Sequence, residues 1–221
     1  MQTLRAYLSP VVDPDDALVR PEHVGGAAAF DDLVRRGAVQ VVRPWVAVAR
    51  GTAVTPRVRA RSLASPSVGG LVVAGRTAAW VHAGGEPPAL LGFLASDGVR
   101  APAHDPGRVV RYARILRSEV VDLGGVQVTS PLRTVLDVAS SPTVPAHACG
   151  TLVTPLPDDL AAAARCVVRV CAATGIDPRG ARRALELRHR WRGRGVARQV
   201  LDLAVAATLV PSGAAAGPEL A

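Results

Sequence analysis

Arg133 and Asp137 stand four residues apart in Pro131-Leu132-Arg133-Thr134-Val135-Leu136-Asp137, which puts a guanidinium and a carboxylate on one helix face. Such a pair can orient a substrate, yet helical i,i+4 ion pairs are common and contribute only about 0.3–0.5 kcal/mol, so a structural role is expected. Ser130 has no Gly-x-Ser-x-Gly elbow around it and suits a helix cap better than a nucleophile. His82 follows Trp80 without a matching His or Cys ligand at fixed spacing, which makes it a core histidine and Trp80 a core anchor or interface residue. Cys149, Cys166 and Cys171 form no C-x-x-C pair and are odd in number, as expected of buried thiols in a reducing cytosol. His147 with Cys149 is the one close His–Cys pair in the sequence, too little for a zinc site. The C-terminal third carries Asp158, Asp159, Asp177, Glu186, Asp202 and Glu219, no two at a spacing that would hold a divalent ion beside a Lys or Gln. No Lys occurs anywhere, so no phosphate-cradling Gly loop ends in one. The expectation is a protein without catalytic residues, metal or cofactor.

Arginine is what remains. All 26 basic residues are Arg, the formal net charge is +8, and Asn is absent along with Lys. The bias toward Arg, Ala, Gly, Pro and Val fits a GC-rich genome, so the choice of Arg over Lys says little; the sign of the charge favours polyanionic partners through counterion release. Residues 1–64 carry nine Arg against six acids, residues 65–141 seven against six, and residues 142–221 ten against six. Both ends are therefore basic. Arg20, Arg35, Arg36, Arg43, Arg50 and Arg57 fall at helix ends and along a β-rich stretch, where a DNA-binding module touches phosphates. Asp31 and Asp32, early on the same helix as Arg35 and Arg36, would repel phosphate and keep groove insertion shallow. Residues 179–198 hold eight Arg against Glu186, a density that suits nucleic acid, an acidic patch on a partner, or solubility of two small helices.

The elements that must position these residues are legible from caps and periodicity. Residues 18–24 suggest a short helix with Pro21 near its start, broken by Gly25-Gly26; residues 27–36 suggest a second, with an Ala29, Phe30, Leu33, Val34 stripe and Gly37 as stop. Two short helices across a Gly turn resemble a helix-turn-helix, and the β-branched residues 39–48, with Pro44 at their middle, read as a wing. Ser65-Pro66-Ser67 marks a module boundary. Beyond it, residues 71–73, 90–94, 109–114 and 126–129 read as strands and residues 77–82 as a short helix. Ser130-Pro131 opens a helix with Leu132, Val135, Leu136 and Ala139 on its apolar face. Residues 158–173, 179–191 and 195–210 read as helices, and residues 211–221 as a disordered tail. The expected fold class is α/β (α+β): a winged-helix-like module at 1–64, a mixed α/β domain at 65–141, a helical region at 142–210 and the tail. Asp13, Asp15 and Asp16 argue against a secretion signal, and Asp202 breaks the longest late apolar run, so a soluble cytoplasmic protein without membrane contact is expected.

The order of Leu33-Val34-Arg35-Arg36-Gly37, a β-rich wing, a basic helix, Thr77-Ala78-Ala79-Trp80-Val81-His82, and T-S-P-x-R-T-x-x-D-x-A over residues 129–139 resembles the actinobacterial AbiEi-like antitoxins of type IV toxin–antitoxin and abortive-infection systems. The resemblance covers roughly residues 15–140 well and the C-terminal helices loosely. It implies a winged helix on double-stranded operator DNA, repression of the protein's own operon, and a following domain that counteracts a nucleotidyltransferase-like toxin. It also implies partner contacts at Arg76, Trp80, His82 and Arg133 and, in the basic helices, at Arg183, Arg190 and Arg194. The helix-turn-helix is shorter than in relatives, with Gly25-Gly26-Ala27-Ala28 where they carry a longer polar turn. Some similar chains continue from an Arg-Gly-Val-Ala-Arg helix, here residues 194–198, into an endonuclease-like domain. The other readings are accordingly a stand-alone winged-helix transcription regulator, or a non-catalytic remnant or accessory of an endonuclease-bearing protein.

Overall fold

A computed structural model describes residues 18–65, 70–96, 107–142 and 156–209. Asp13, Asp15 and Asp16, the His147–Cys149 pair, Glu219 and the expected tail lie outside the described residues. The architecture is mixed α/β, with two sheets and, among the described residues, seven α-helices.

The first sheet is antiparallel, in the order β1 (Leu18–Val19), β3 (Val46–Ala49), β2 (Val39–Arg43). The residue pattern predicts a helix start at Leu18 and Val19; they pair instead with Val48 and Ala47. Pro21–His23 then forms a single 3-10 turn, because Pro21 lacks an N–H and Gly25 and Gly26, at φ +90° and +110°, leave too few residues to nucleate a helix. The helix pair thus reduces, among the described residues, to one α-helix, α1 (Ala27–Arg35), which Gly37 stops at φ +65° as its spacing predicts. The hairpin β2–β3 follows directly. A one-residue irregularity between Val41 and Arg43 turns Val42 inward. Next comes α2 (Pro56–Ser62), capped by Thr55, whose hydroxyl accepts from the Val58 amide at 3.2 Å.

The second sheet runs β6 (Arg108–Tyr112), β5 (Leu91–Ala95), β4 (Val72–Val73), β8 (Gln127–Thr129), β7 (Val120–Asp122). Its central pair, β4 and β8, is parallel, with Val73 opposite Val128. Each of these strands passes almost at once into a helix: β4 into α3 (Gly75–Ala83) and β8 into α4 (Pro131–Ser140). Two helices of the same polarity therefore lie side by side, and α5 (Pro157–Thr174) packs across both. α6 (Pro178–Glu186) and α7 (Arg194–Leu209) complete the helical layer. The pattern predicts that α6 reaches Trp191; it ends at Glu186, where Arg194 takes the carbonyls of Leu185 and Glu186 at 3.2 and 3.4 Å.

A chain with 3% aromatic residues must build its core from small side chains, and does. Ala163, Ala181, Ala197 and Ala204 are fully buried among Leu136, Val167, Leu185 and Leu201, so the helices approach closely. A second apolar cluster runs from Val42 and Val48 of the hairpin through Val58 and Leu63 into Val73, Phe93, Val128 and Trp80, continuous across residue 65. α3 serves both clusters, Ala79 facing the helices while Ala78, Trp80 and Val81 face the sheet.

Gly193 joins α6 to α7 flush against the end of α4: a Cβ there would lie 2.7 Å from the Ser140 carbonyl oxygen, and its φ is +73°. Gly193→Ala is expected to destabilise by roughly 1–3 kcal/mol. Gly195→Ala, inside α7 with nothing within 4 Å of its added methyl, should be neutral or stabilising. Denaturant unfolding of both variants checks this; equal effects would mean that the Gly193 turn is not packed as described.

Candidate nucleic-acid interface

β2 and β3 are joined by Pro44-Trp45. Pro44 fixes one turn position, and Trp45 takes the next at φ +63°, a left-handed conformation that is uncommon for a bulky residue and costs about 1–2 kcal/mol. Strain of this kind accompanies function more often than chance. Trp45 remains 54% exposed, resting one side against Phe30 of α1 at 6.2 Å between ring centroids. Val41 on the same hairpin is also exposed. The β-branched run marks the hairpin in the sequence, whereas the one signal for Trp45 is an aromatic residue directly after the Pro of the turn.

Away from this tip, at the base of the hairpin and beyond it, the arginines divide. Arg35 and Arg36, at the end of α1, are 74% exposed at their side chains and both pair with Asp32, at 3.2 and 2.6 Å. Asp32 therefore fastens two cations rather than simply repelling phosphate. Exposed pairs contribute about 0–1 kcal/mol, so a phosphate can replace the carboxylate at little cost. Arg50 is exposed and donates to the Gly37 carbonyl at 3.3 Å, just past the end of α1. These three match their expected place. Arg20 and Arg43 do not: both turn inward to the Ser62 carbonyl at the C-terminus of α2, Arg20 at 3.5 Å and Arg43 through Nε at 2.9 Å and Nη2 at 2.7 Å. Burial, and then the charge of Arg20, lowers the Arg43 pKa. The negative end of a helix dipole accounts for their position. Arg57 lies with Arg61 over the β7–β8 turn, where a Cβ on Gly124 would meet Arg57 Cγ at 3.0 Å and Arg61 Cδ at 2.9 Å.

Of the residues expected to contact a partner, Trp80, His82 and Arg133 are buried, Arg76 and Arg194 half-buried, and Arg183 and Arg190 exposed. Trp80 is buried and donates through its indole N–H to the Gly85 carbonyl at 3.1 Å. His82 is buried with Nε2 2.8 Å from the Thr129 carbonyl; desolvation lowers its pKa, partly offset by that bond, so it is a neutral core histidine donating to Thr129. Arg76 donates to the Pro142 carbonyl. Arg133 is only 4% exposed and sits between two carboxylates, Glu119 at 2.6 Å and Asp137 at 2.9 Å. Trp80, His82 and Arg133 are thus engaged within the core in this conformation.

Glu119, Arg188 and Trp191 complete the charge cluster, and sequence reasoning missed all three. Arg188 reaches Glu119, and the Arg133 and Arg188 guanidiniums each lie 4.9 Å from the Trp191 ring centroid. The Trp191 indole N–H donates to Ser140 at 2.5 Å. Burial alone would raise the Glu119 pKa, but the Leu116 amide, Arg188 and Arg133 outweigh it and hold the carboxyl below its ordinary value. Asp137 goes the other way: burial raises its pKa, Arg133 offsets this only in part, Glu119 adds to it, and Oδ2 has no hydrogen-bond partner.

Of the eight arginines in 179–198, five are engaged. Arg182 bridges Glu186 and Asp202, Arg198 holds Glu186 down to about 2, Arg183 lies 3.7 Å from Asp177, and Arg188 and Arg194 are placed as above. Arg179, Arg190 and Arg192 are exposed without a side-chain partner among the described residues. Cys166 and Cys171 are buried free thiols, and burial followed by Asp177 pushes Cys171 up to about 11, far from reactive. No group of three His, Cys, Asp or Glu that could hold a metal occurs among the described residues. No helix there is long and apolar enough to cross a membrane. No protein-family model matches the chain, and no curated protein matches it.

Proposed function

We propose that the chain is a non-enzymatic, DNA-binding antitoxin-like protein of the AbiEi type, one that represses its own operon and counteracts a nucleotidyltransferase-like toxin. The observation that supports DNA contact is the hairpin that directly follows a single helix: Arg35, Arg36 and Arg50 are exposed at its base, where α1 ends, and a strained Trp45 is exposed at its tip. Three exposed guanidiniums suit phosphate oxygens, which fix position without reading sequence, and an exposed indole suits the sugar edge or a base face of a groove. With α1 carrying Asp31 and Asp32, the hairpin rather than the helix is the part that engages the duplex. The antitoxin half of the proposal rests on the sequence resemblance.

Because one apolar cluster crosses residue 65, removing residues 1–64 would uncover Trp80 and Val128, so point variants make the cleaner test. The full chain should bind a duplex from its own upstream region, with affinity falling steeply as salt rises. Combined replacement of Arg35, Arg36 and Arg50 by Ala should reduce the log–log salt slope by roughly 2–3, about 0.9 for each phosphate no longer neutralised. Trp45→Ala should weaken binding with the slope unchanged. A slope unaffected by the triple variant would move the DNA-binding surface elsewhere. Co-expression with the neighbouring toxin gene should restore growth; binding without rescue would leave the stand-alone regulator.

A further inference from the structure

An open trough of about 640 Å³ lies along the outer side of α5 and α7. Its floor is aliphatic: Ala161, Ala164 and Val168 follow one face of α5, and Leu203 and Ala207 stand one turn apart on α7. Leu203 is 45% exposed there. Its rim is cationic. Arg165 and Arg169, four residues apart on α5, and Arg76 from α3 border it, and no carboxylate is among the lining residues. Arg165 and Arg169 form no ion pair among the described residues, and Arg76 Nε is buried without a hydrogen-bond partner. The nearest acid along α7, Asp202, is already held by Arg182 at 2.9 Å.

We propose that this trough docks an acidic amphipathic helix of a partner protein. The inference goes beyond the DNA reading and stands without it. An aliphatic floor offers no convergent hydrogen-bonding groups to orient a small polar ligand and no aromatic face for a base to stack on. A channel between two helices accepts the ridge of a third, whose apolar residues at i, i+3 and i+4 fill the floor. Carboxylates four residues apart on the flank of that helix match the spacing of Arg165 and Arg169, and their desolvated pairing with a positive rim sets orientation and partner choice. A second copy of this chain is a poor occupant, since the net charge of +8 repels it.

The test uses the full chain and a fluorescein-labelled synthetic helix of about 18 residues, Leu on one face and Glu on both flanks, with a twin carrying Lys for Glu. Fluorescence anisotropy should show the acidic peptide binding and the Lys twin binding at least tenfold more weakly. Arg165→Glu with Arg169→Glu should weaken the acidic peptide at least tenfold and improve the Lys twin. Ala207→Trp, which fills the trough from an exposed position, should weaken both peptides while circular dichroism stays unchanged. The proposal is overturned if neither peptide binds up to about 100 µM, if the two bind equally, or if both variants bind like the parent. It is equally overturned if the charge reversal instead abolishes binding to a poly(dT) oligonucleotide, to anionic phosphatidylglycerol vesicles, or between copies of the chain.

Discussion

Leu136→Ala is expected to lower stability by about 2–5 kcal/mol, because Leu136 is fully buried where α4 meets the other helices and its neighbours are too short to fill the space left. At this chain length each kcal/mol moves the midpoint by about 2–4 °C, so thermal unfolding should shift down by roughly 4–20 °C. Leu187→Ala provides the contrast. That side chain is 81% exposed after the end of α6, and its loss should change stability by less than about 0.5 kcal/mol. An unchanged midpoint for Leu136→Ala would place the apolar face of α4 outside the core.

Arg133→Met is expected to cost about 3–5 kcal/mol near neutral pH, since it removes the guanidinium between two carboxylates and leaves their charges buried and facing each other. The pH dependence has a definite sign. In the parent protein Glu119, with its pKa held down, stabilises the fold above its ordinary titration range and loses that contribution as pH falls. Asp137, with its pKa raised, opposes folding while charged and stops doing so as it takes a proton. Without Arg133 both carboxyls shift toward the protonated form, so the variant should gain on the parent as pH falls from about 7 to about 5. Adding Glu119→Gln should recover part of the loss at neutral pH. Urea midpoints across that range read the effect. A deficit below about 1 kcal/mol, or one that widens on acidification, would show that the cluster is solvated.

α4 was legible in the sequence because every local signal agreed: Ser130 accepts from the Arg133 amide, Pro131 occupies the first turn, and the apolar stripe faces the core. α1 and its Gly37 stop were legible for the same reason. β1 and β7 were not. Each is two or three residues long and exists only through a partner elsewhere, Val19 through Ala47 and Val120 through Thr129. The site was legible in outline and not in detail. A guanidinium that ends on a helix carbonyl leaves no residue pattern, yet Arg43, Arg59 and Arg194 all do this, at the ends of α2, α3 and α6. Composition therefore showed a surplus of positive charge without showing that much of it closes helix ends. Glu119 was invisible for a related reason, since its partners stand 14 and 69 residues away.

The double allegiance of α3 bears on how the molecule opens. Ala79 belongs to the helical cluster while Ala78, Trp80 and Val81 belong to the sheet cluster, and Arg59 of α2 fastens the end of the helix through the Val81 carbonyl at 2.8 Å. Neither half can loosen without stripping one face of an element the other half needs, so low-energy sub-global openings are confined to the chain's periphery. Mass action then runs the length of the protein: a ligand held at the hairpin and one held between α5 and α7 each raise the free energy of the same cooperative unfolding.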